Sequence, residues 1–218
     1  MLNRYARAFF TRVMTPLARA LTRAGVSPDA VTLVGTSGVC AAALLFYPRG
    51  QFFVGTVVIT GFVFADLLDG TMARLSGRSS RWGAFLDSTL DRLADAAVFG
   101  GLVLWFAGRG EDMLLAALTL FCLIAGALVS YAKARAEGLG MTCEGGLAER
   151  GDRMLLILVV TGLDGLGVPY VQATGLWVLA AASLVTVIQR VRTVRRQALA
   201  DPEAPGAHPH PEAGTQRP

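Results

Sequence analysis

The sequence has few of the residues that build disulfide frameworks, zinc sites or histidine-based active sites. Cys40, Cys122 and Cys143 are the only cysteines among its 218 residues, and no Cys-x-x-Cys pair occurs. Neither a disulfide framework nor a zinc site is therefore predicted. The two histidines, His208 and His210, lie in a Pro-, Ala- and Gly-rich tail, where we expect them to be solvated rather than bound to metal.

The amino-terminal segment also lacks the uninterrupted apolar run of a secretory signal peptide. Arginines recur through residues 1–28, and apolar residues such as Leu2, Phe9 and Leu21 repeat between them at helical spacing. This pattern excludes a signal peptide. It predicts an amphipathic helix that lies on the anionic cytoplasmic surface of a membrane, and Gly25 is expected to end it.

Charge is scarce throughout the chain: charged residues make up 17%, hydrophobic residues make up 53%, and the mean hydropathy is +0.51. The apolar residues stand in long blocks, which indicates one integral membrane domain. We predict an all-α integral membrane fold, with six transmembrane helices preceded by an N-terminal amphipathic surface helix. The spans are expected at about residues 30–47, 52–73, 83–107, 112–136, 152–169 and 172–194. The membrane domain would cover residues 29–196, and the tail at 197–218 is expected to be disordered.

Basic residues are distributed unequally between the two ends of these spans. One side carries only Arg49 and Arg109. The other side receives the N-terminal segment, three arginines from Arg74 to Arg81, the 133–153 loop and five arginines from Arg190 onward. The positive-inside rule places this second side, with both termini, in the cytoplasm.

Four carboxylates are concentrated around the turn between the second and third spans. Asp66 and Asp69 are three residues apart, Asp87 and Asp91 are four apart, and each pair shares one face of a helix. Two helices leaving one turn side by side would bring the four carboxylates to matching depths. Such a cluster needs a counter-charge, and hard divalent cations with oxygen ligands supply it. We therefore predict two Mg²⁺ ions, with Mn²⁺ as a substitute, in a site suited to displacement at phosphorus.

The spacing D-x-x-D-G-x-x-A-R-x8-G-x-x-x-D-x-x-x-D resembles the signature of the CDP-alcohol phosphotransferases. The matching positions are Asp66, Asp69, Gly70, Ala73, Arg74, Gly83, Asp87 and Asp91. This resemblance implies a homodimer with six transmembrane helices. It also implies transfer of a phosphoalcohol group from a CDP-linked donor, with release of CMP.

Roles within and near this stretch follow partly from the resemblance and partly from the residues themselves. Asp91 is chosen as general base because a carboxylate among like charges can accept a proton, and Ser80 is included for its place in the turn. Asp66, Asp69 and Asp87 would hold the two metal ions, and Asp91 would touch the second ion and act as the general base. The CDP-lipid donor would contact Asp66 and a further set of residues on the nucleotide side. These are Pro28, Asp29, Thr32, Gly70, Ala73, Arg74 and Ser80.

Three basic groups converge on the cytoplasmic face, which an anionic second substrate would explain. The stretches SYAKARAE at 130–137 and ER-x-x-R at 149–153, with the later QR, resemble the actinobacterial phosphatidylinositol phosphate synthases of that family. That likeness implies a bacterial plasma-membrane enzyme whose lipid donor is CDP-diacylglycerol and whose acceptor is inositol phosphate. The acceptor phosphate would be bound by Ser130, Lys133, Arg153 and Arg190.

Two other functions remain open on the sequence. A phosphatidylglycerophosphate synthase would use glycerol phosphate, which is also anionic, at the same basic groups. A cation transporter would use the acidic cluster as its ion site, since intramembrane carboxylates do serve transport. A transporter would move cations into sealed vesicles without any CDP-lipid, whereas the enzyme would release CMP only with acceptor and divalent metal.

Overall fold

A computed structural model describes residues 15–16, 18–75, 80–143 and 145–200, but not the side chains of 65–71 and 73–75. Within these residues the regular structure is entirely helical, so the predicted all-α class is confirmed. The helices are α1 (Pro28–Phe46), α2 (Phe52–Leu75), α3 (Arg81–Ala107), α4 (Met113–Gly138), α5 (Arg150–Asp164) and α6 (Val171–Ala200), with a 3₁₀ turn at Tyr47–Arg49.

Helix ends follow signals that are local in the sequence. The side chains of Ser27, Ser80 and Asp112 each accept a hydrogen bond from the backbone N–H three residues later, at 3.2, 2.9 and 2.9 Å. Each of these caps satisfies a donor that the first helical turn leaves unpaired. Ahead of α1, the helical residues 18–23 end at Gly25, whose φ of +79° is the left-handed conformation expected of a cap.

The helices pack around one apolar core. Helix α1 packs against α2 and α3, α4 packs against α3 and α6, and α5 packs against α2 and α6. The α1–α3 crossing is so close that a Cβ on Gly101 would lie 2.7 Å from the backbone oxygen of Ala43. Val98, Leu102 and Ile157 are fully buried in this core. In this packing, the charged starts of α3 and α5 and the charged ends of α4 and α6 meet at one end of the bundle.

Three helices of the described residues are long and apolar enough to cross a membrane. They are Pro28–Arg49 (with the 3₁₀ turn), Met113–Gly138 and Val171–Ala200, and a shorter apolar segment is found at Phe52–Phe64. Helix α3 carries its charges in its first half, and α5 has 15 residues. Large apolar side chains on the outer surface, including Leu44 and Val57, stay about half exposed, as lipid-facing residues do.

Two predicted boundaries are wrong. The fifth span ends at Asp164 rather than near residue 169, because Gly165 starts a turn in which Gly167 has φ +85°. The last helix continues to Ala200, so a tail starting at 197 is too long by four residues. Residues 1–14 and 201–218 lie outside the described residues, and the surface helix and disordered tail stay predictions there.

Candidate active site

Two cavities meet at the charged end of the bundle. The first, of about 400 Å³, lies among α1, α2, α3 and α5 and is lined mainly by apolar side chains such as Val39 and Met154. The second, of about 390 Å³, lies among α3, α4, α5 and α6 and is lined largely by polar and charged side chains. Asp91, Arg150 and Gly151 line both cavities. These three residues therefore form the boundary between an apolar and a polar compartment.

Helix α3 presents three carboxylates at four-residue intervals. Asp87 is exposed, Asp91 is half-buried and Asp95 is buried, so burial increases along one helix face. The first two belong to the predicted motif, whereas Asp95 was not among the predicted site residues. The regular D-x-x-x-D-x-x-x-D repeat was the available signal, but an aspartate beyond the motif carried no assigned role.

Asp91 is held between two guanidinium groups. Its Oδ1 lies 2.6 Å from Arg150 Nη1, and its Oδ2 lies 3.7 Å from Arg92 Nη2. The Asp91 side chain is 16% exposed, and Arg150 is 31% exposed. The predicted general base is thus part of an ion-pair cluster at the boundary of the two cavities. Neither arginine was among the predicted site residues.

Arg153, predicted to bind the acceptor phosphate, is instead packed inside the bundle. Its side chain is 2% exposed, and its Nη2 lies 3.3 Å from Asp95 Oδ2. Its Nη1 donates a hydrogen bond to the backbone oxygen of Ala148 at 3.2 Å. Arg153 is absent from the residues that line the polar cavity, whereas Arg150, one turn earlier, lines it. A direct contact between Arg153 and a phosphate would require this buried pair to open.

Ser130, Lys133 and Arg190 do line the polar cavity together, as the basic motifs predict. The Ser130 hydroxyl donates to the backbone oxygen of Gly126 at 3.1 Å. Lys133 is 44% exposed, and its Nζ lies 3.8 Å from Glu137. Arg190 is 5% exposed, and its Nη1 donates to the backbone oxygen of a residue on α4. Two helices thus bring these cations to one compartment from positions distant in sequence.

Unpaired donors mark the same compartment. The Nε atoms of Arg92, Arg150 and Arg190 are buried and make no hydrogen bond within the described residues. The nearest carboxylate recorded for Arg150 Nε, on Asp95, is 3.5 Å away. Buried donors in native proteins are nearly always satisfied. Three unsatisfied guanidinium nitrogens around one cavity therefore indicate a place for an anion.

The predicted nucleotide-side residues lie at the start of α1 and α3. Asp29 is in the first turn of α1, and a Cβ on Gly83 would lie 3.8 Å from its Oδ1. Ser80 caps α3 through the N–H of Gly83. Thr32 is buried, and its hydroxyl donates to the backbone oxygen of Pro28 at 3.1 Å. Asp29 and Ser80 therefore flank one surface, whereas Thr32 is turned toward its own helix.

The remaining motif residues lie on α2, where the structure describes their backbone but not their side chains. Asp66, Asp69, Gly70, Ala73 and Arg74 have side chains outside the described residues. The predicted four-carboxylate cluster and its metal ligands consequently stay a prediction for the α2 half.

Thr186 is a further residue that sequence reasoning missed. Its hydroxyl oxygen accepts hydrogen bonds from the N–H groups of Leu147 and Ala148, both at 3.1 Å. It thereby fixes the loop that leads into α5, directly before Arg150. Thr186 precedes Arg190 by one helical turn, so one face of α6 both lines the cavity and holds the loop beside it. A polar residue within an apolar helical run was the only available signal.

Comparison with known proteins finds a family and close relatives. Residues 25–188 match the family model described as CDP-alcohol phosphatidyltransferase. A phosphatidylinositol phosphate synthase of Streptomyces avermitilis is 60% identical over 204 residues, which cover 90% of this chain and 84% of that protein.

Two solved structures of a Mycobacterium tuberculosis phosphatidylinositol phosphate synthase share the fold, each with 42% sequence identity. One has CDP-DAG bound and superimposes with a TM-score of 0.82. The match covers 91% of this chain and 98% of that chain. The other is a complex with manganese and citrate and has a TM-score of 0.81. The match covers 90% of this chain and 92% of that chain.

Proposed function

The chain belongs to the CDP-alcohol phosphatidyltransferase family, and we propose that it is a phosphatidylinositol phosphate synthase. It transfers the phosphatidyl group of CDP-diacylglycerol to a hydroxyl group of inositol phosphate and releases CMP. The observation that carries this proposal is the junction of an apolar and a polar cavity at Asp91. A lipid donor and a water-soluble, phosphorylated acceptor need compartments of these two kinds, joined where the reaction takes place.

The carboxylates on α3 fit divalent metal. Asp87 and Asp91 lie one turn apart on α3 and offer only carboxylate oxygens, the ligands that Mg²⁺ and Mn²⁺ prefer. We assign Asp66 and Asp69 of α2 as the other ligands of a two-ion site. When bound, the two ions would neutralise charge on the diphosphate and on the departing CMP.

Asp91 is assigned the role of general base. The attacking hydroxyl oxygen of the acceptor forms a bond to the lipid-side phosphorus, and its proton passes to an Asp91 carboxylate oxygen. The bond from that phosphorus to the bridging oxygen breaks, and its electron pair leaves on CMP. Asp91 is suited to this role because it faces both the apolar and the polar cavity.

The two substrates use opposite sides of this carboxylate. On the donor side, Pro28, Asp29, Thr32, Gly70, Ala73, Arg74 and Ser80 would contact the nucleotide and diphosphate. On the acceptor side, Ser130, Lys133 and Arg190 would hold the phosphate. Arg153 would reach the phosphate only by leaving Asp95. Otherwise it holds Asp95 inside the bundle, next to the site.

The protein is a bacterial membrane protein, and we extend the three candidate spans to six. Helices α2, α3 and α5 would complete the set, with their charged ends in the cytoplasm according to the arginine distribution. We also propose that residues 1–28 form the amphipathic surface helix and that the chain acts as a homodimer. The polar cavity would then open to the cytoplasm, where inositol phosphate and Mg²⁺ are available.

The test is CMP release by purified protein supplied with CDP-diacylglycerol and one acceptor at a time. Inositol phosphate is expected to support turnover, whereas inositol, glycerol phosphate and serine should be poor acceptors. Glycerol phosphate as the preferred acceptor would establish the phosphatidylglycerophosphate synthase instead. Equal use of inositol and inositol phosphate would show that the basic cavity does not select for phosphate.

A further inference from the structure

Arg150 occupies a position that no other cation of the described residues shares. It lines both cavities, and its Nη1 makes the 2.6 Å ion pair with Asp91. Its Nε is buried without a hydrogen bond, so the guanidinium is only partly satisfied by the carboxylates around it. Nη1 of this group is therefore committed to Asp91, whereas Nε has only the Asp95 carboxylate 3.5 Å away and no hydrogen-bond acceptor among the described residues.

The neighbouring cations of the polar cavity are held differently. Arg190 is 5% exposed and is tied to a backbone oxygen of α4, and Arg153 is 2% exposed and paired with Asp95. Lys133 pairs with Glu137 on its own helix. Arg92 approaches Asp91 only to 3.7 Å. Arg150 is thus the cation that both holds Asp91 closely and keeps substantial exposure, 31%, toward a cavity.

Arg150 stands at the start of its helix, next to a backbone position with open space beside it. It is the first residue of α5 and follows a loop, so its side chain is not packed against a preceding helical turn. A Cβ on the adjacent Gly151 would meet nothing within 4 Å. Exchanging one anionic partner for another keeps the Arg150 charge paired, so no uncompensated guanidinium is left at this partly buried place.

We propose that Arg150 is a positioning switch, which pairs with Asp91 when the polar cavity is empty and with the acceptor's phosphate when the cavity is filled. This inference rests on the proposed function, since it requires an acceptor that carries a phosphate group. Release of Arg150 frees an Asp91 oxygen toward the metal and the reacting hydroxyl. Acceptor binding and metal binding at Asp91 thereby become coupled, and linkage requires each to strengthen the other.

The coupling can be measured without turnover, as the Mn²⁺ affinity of the detergent-solubilised protein followed by the EPR signal of free Mn²⁺. For the wild type, saturating inositol phosphate is expected to lower the Mn²⁺ dissociation constant about tenfold, the scale of one charge-assisted contact. Arg150→Gln should bind Mn²⁺ about tenfold more tightly without acceptor, because Asp91 has lost its competitor. Inositol phosphate should then change that affinity less than threefold.

The matched control is Arg135→Gln, which removes the same charge from the exposed end of α4 without touching Asp91. Arg135→Gln should retain the wild-type Mn²⁺ affinity and the full response to inositol phosphate. If it instead changes both as Arg150→Gln is expected to, the effect comes from losing any nearby positive charge, and the proposal is overturned. Arg150→Lys keeps the charge but loses the planar fork, and a reduced coupling is expected. It serves as the test variant if Arg150→Gln does not fold.

The outcomes separate the switch from the proposed function. A wild type that releases CMP with inositol phosphate, but whose Mn²⁺ affinity is indifferent to that acceptor, overturns the switch alone. Unchanged Mn²⁺ affinity and undiminished coupling in Arg150→Gln do the same. A wild type that uses neither inositol phosphate nor glycerol phosphate overturns both, whereas use of glycerol phosphate alone overturns the proposed function and moves the Mn²⁺ test to that acceptor.

Discussion

The buried pair of Asp95 and Arg153 offers the sharpest test of the site's architecture. Asp95→Asn keeps the size of the side chain and removes its charge. The Arg153 guanidinium, 2% exposed, would then lie in the bundle with Arg150 nearby and without a carboxylate of the described residues in contact. Arg153 has no route to water comparable to that of an exposed arginine, so the loss of its counter-charge should appear mainly as instability.

The size of the effect follows from the burial of both partners. The Asp95 side chain is 9% exposed, so solvent screens the pair only weakly. Removing one partner of such a pair typically costs about 3–5 kcal/mol of unfolding free energy. For a chain of this length that corresponds to a fall in melting temperature of roughly 6–20 °C.

Thermal unfolding of the purified protein in one detergent gives the measurement. Glu137→Gln is the matched control, because it removes a carboxylate whose pair with Lys133 is 3.8 Å long and 56% exposed on the glutamate side. It should cost less than about 1 kcal/mol. The double variant Asp95→Leu with Arg153→Met should lose less unfolding free energy than the sum of the losses of its two single variants. A melting temperature of Asp95→Asn within a degree of the wild type would refute the buried-pair reasoning.

Four further results are expected. Lys133→Gln should raise the KM for inositol phosphate about ten- to a hundredfold, with the KM for CDP-diacylglycerol unchanged, because one charge-assisted bond is lost; equal changes in both would contradict this. Asp91→Asn should abolish CMP release but leave CDP-diacylglycerol binding nearly intact in a lipid-binding assay. EDTA should inactivate the enzyme and Mg²⁺ or Mn²⁺ should restore it, so full activity in metal-free buffer would refute the metal mechanism. Thr186→Val should lower kcat/KM for the acceptor several-fold while Thr186→Ser keeps it, since valine leaves the N–H groups of Leu147 and Ala148 without their acceptor.

The helical framework could be predicted because its signals are local. Apolar blocks predicted the positions of the long helices in the described residues, and Ser27, Ser80 and Asp112 start three of them as side-chain caps. The two wrong boundaries arose where local signals compete. Gly165 ends α5 ahead of the proline at which the span was expected to end, and a polar, arginine-rich segment of good helix formers continues α6 to Ala200.

The ion-pair cluster could not be predicted, because its partners are brought together only by packing. Arg150 and Asp91 are 59 positions apart in sequence, and Asp95 and Arg153 are separated by 58. Motif reasoning treats arginines at the start of one helix as equivalent. Arg150 and Arg153 share a helix face and both approach Asp95, but they lie at different depths, with 31% and 2% of their side chains exposed. Arg150 reaches the cavity, and Arg153, three residues later, enters the bundle.

The arrangement of these charges suggests why a carboxylate is useful at the boundary between the cavities. A lipid donor held in an apolar compartment cannot be attacked efficiently by a strongly hydrated acceptor unless water is replaced by fixed polar groups where the two meet. Asp91 and Arg150 are such groups, and they lie between the two compartments. Their pairing also keeps each charge neutralised in the empty protein, which lowers the cost of placing both at the end of an apolar bundle. If Arg150 exchanges this contact for the acceptor's phosphate, as proposed, stability and reactivity are linked at one ion pair.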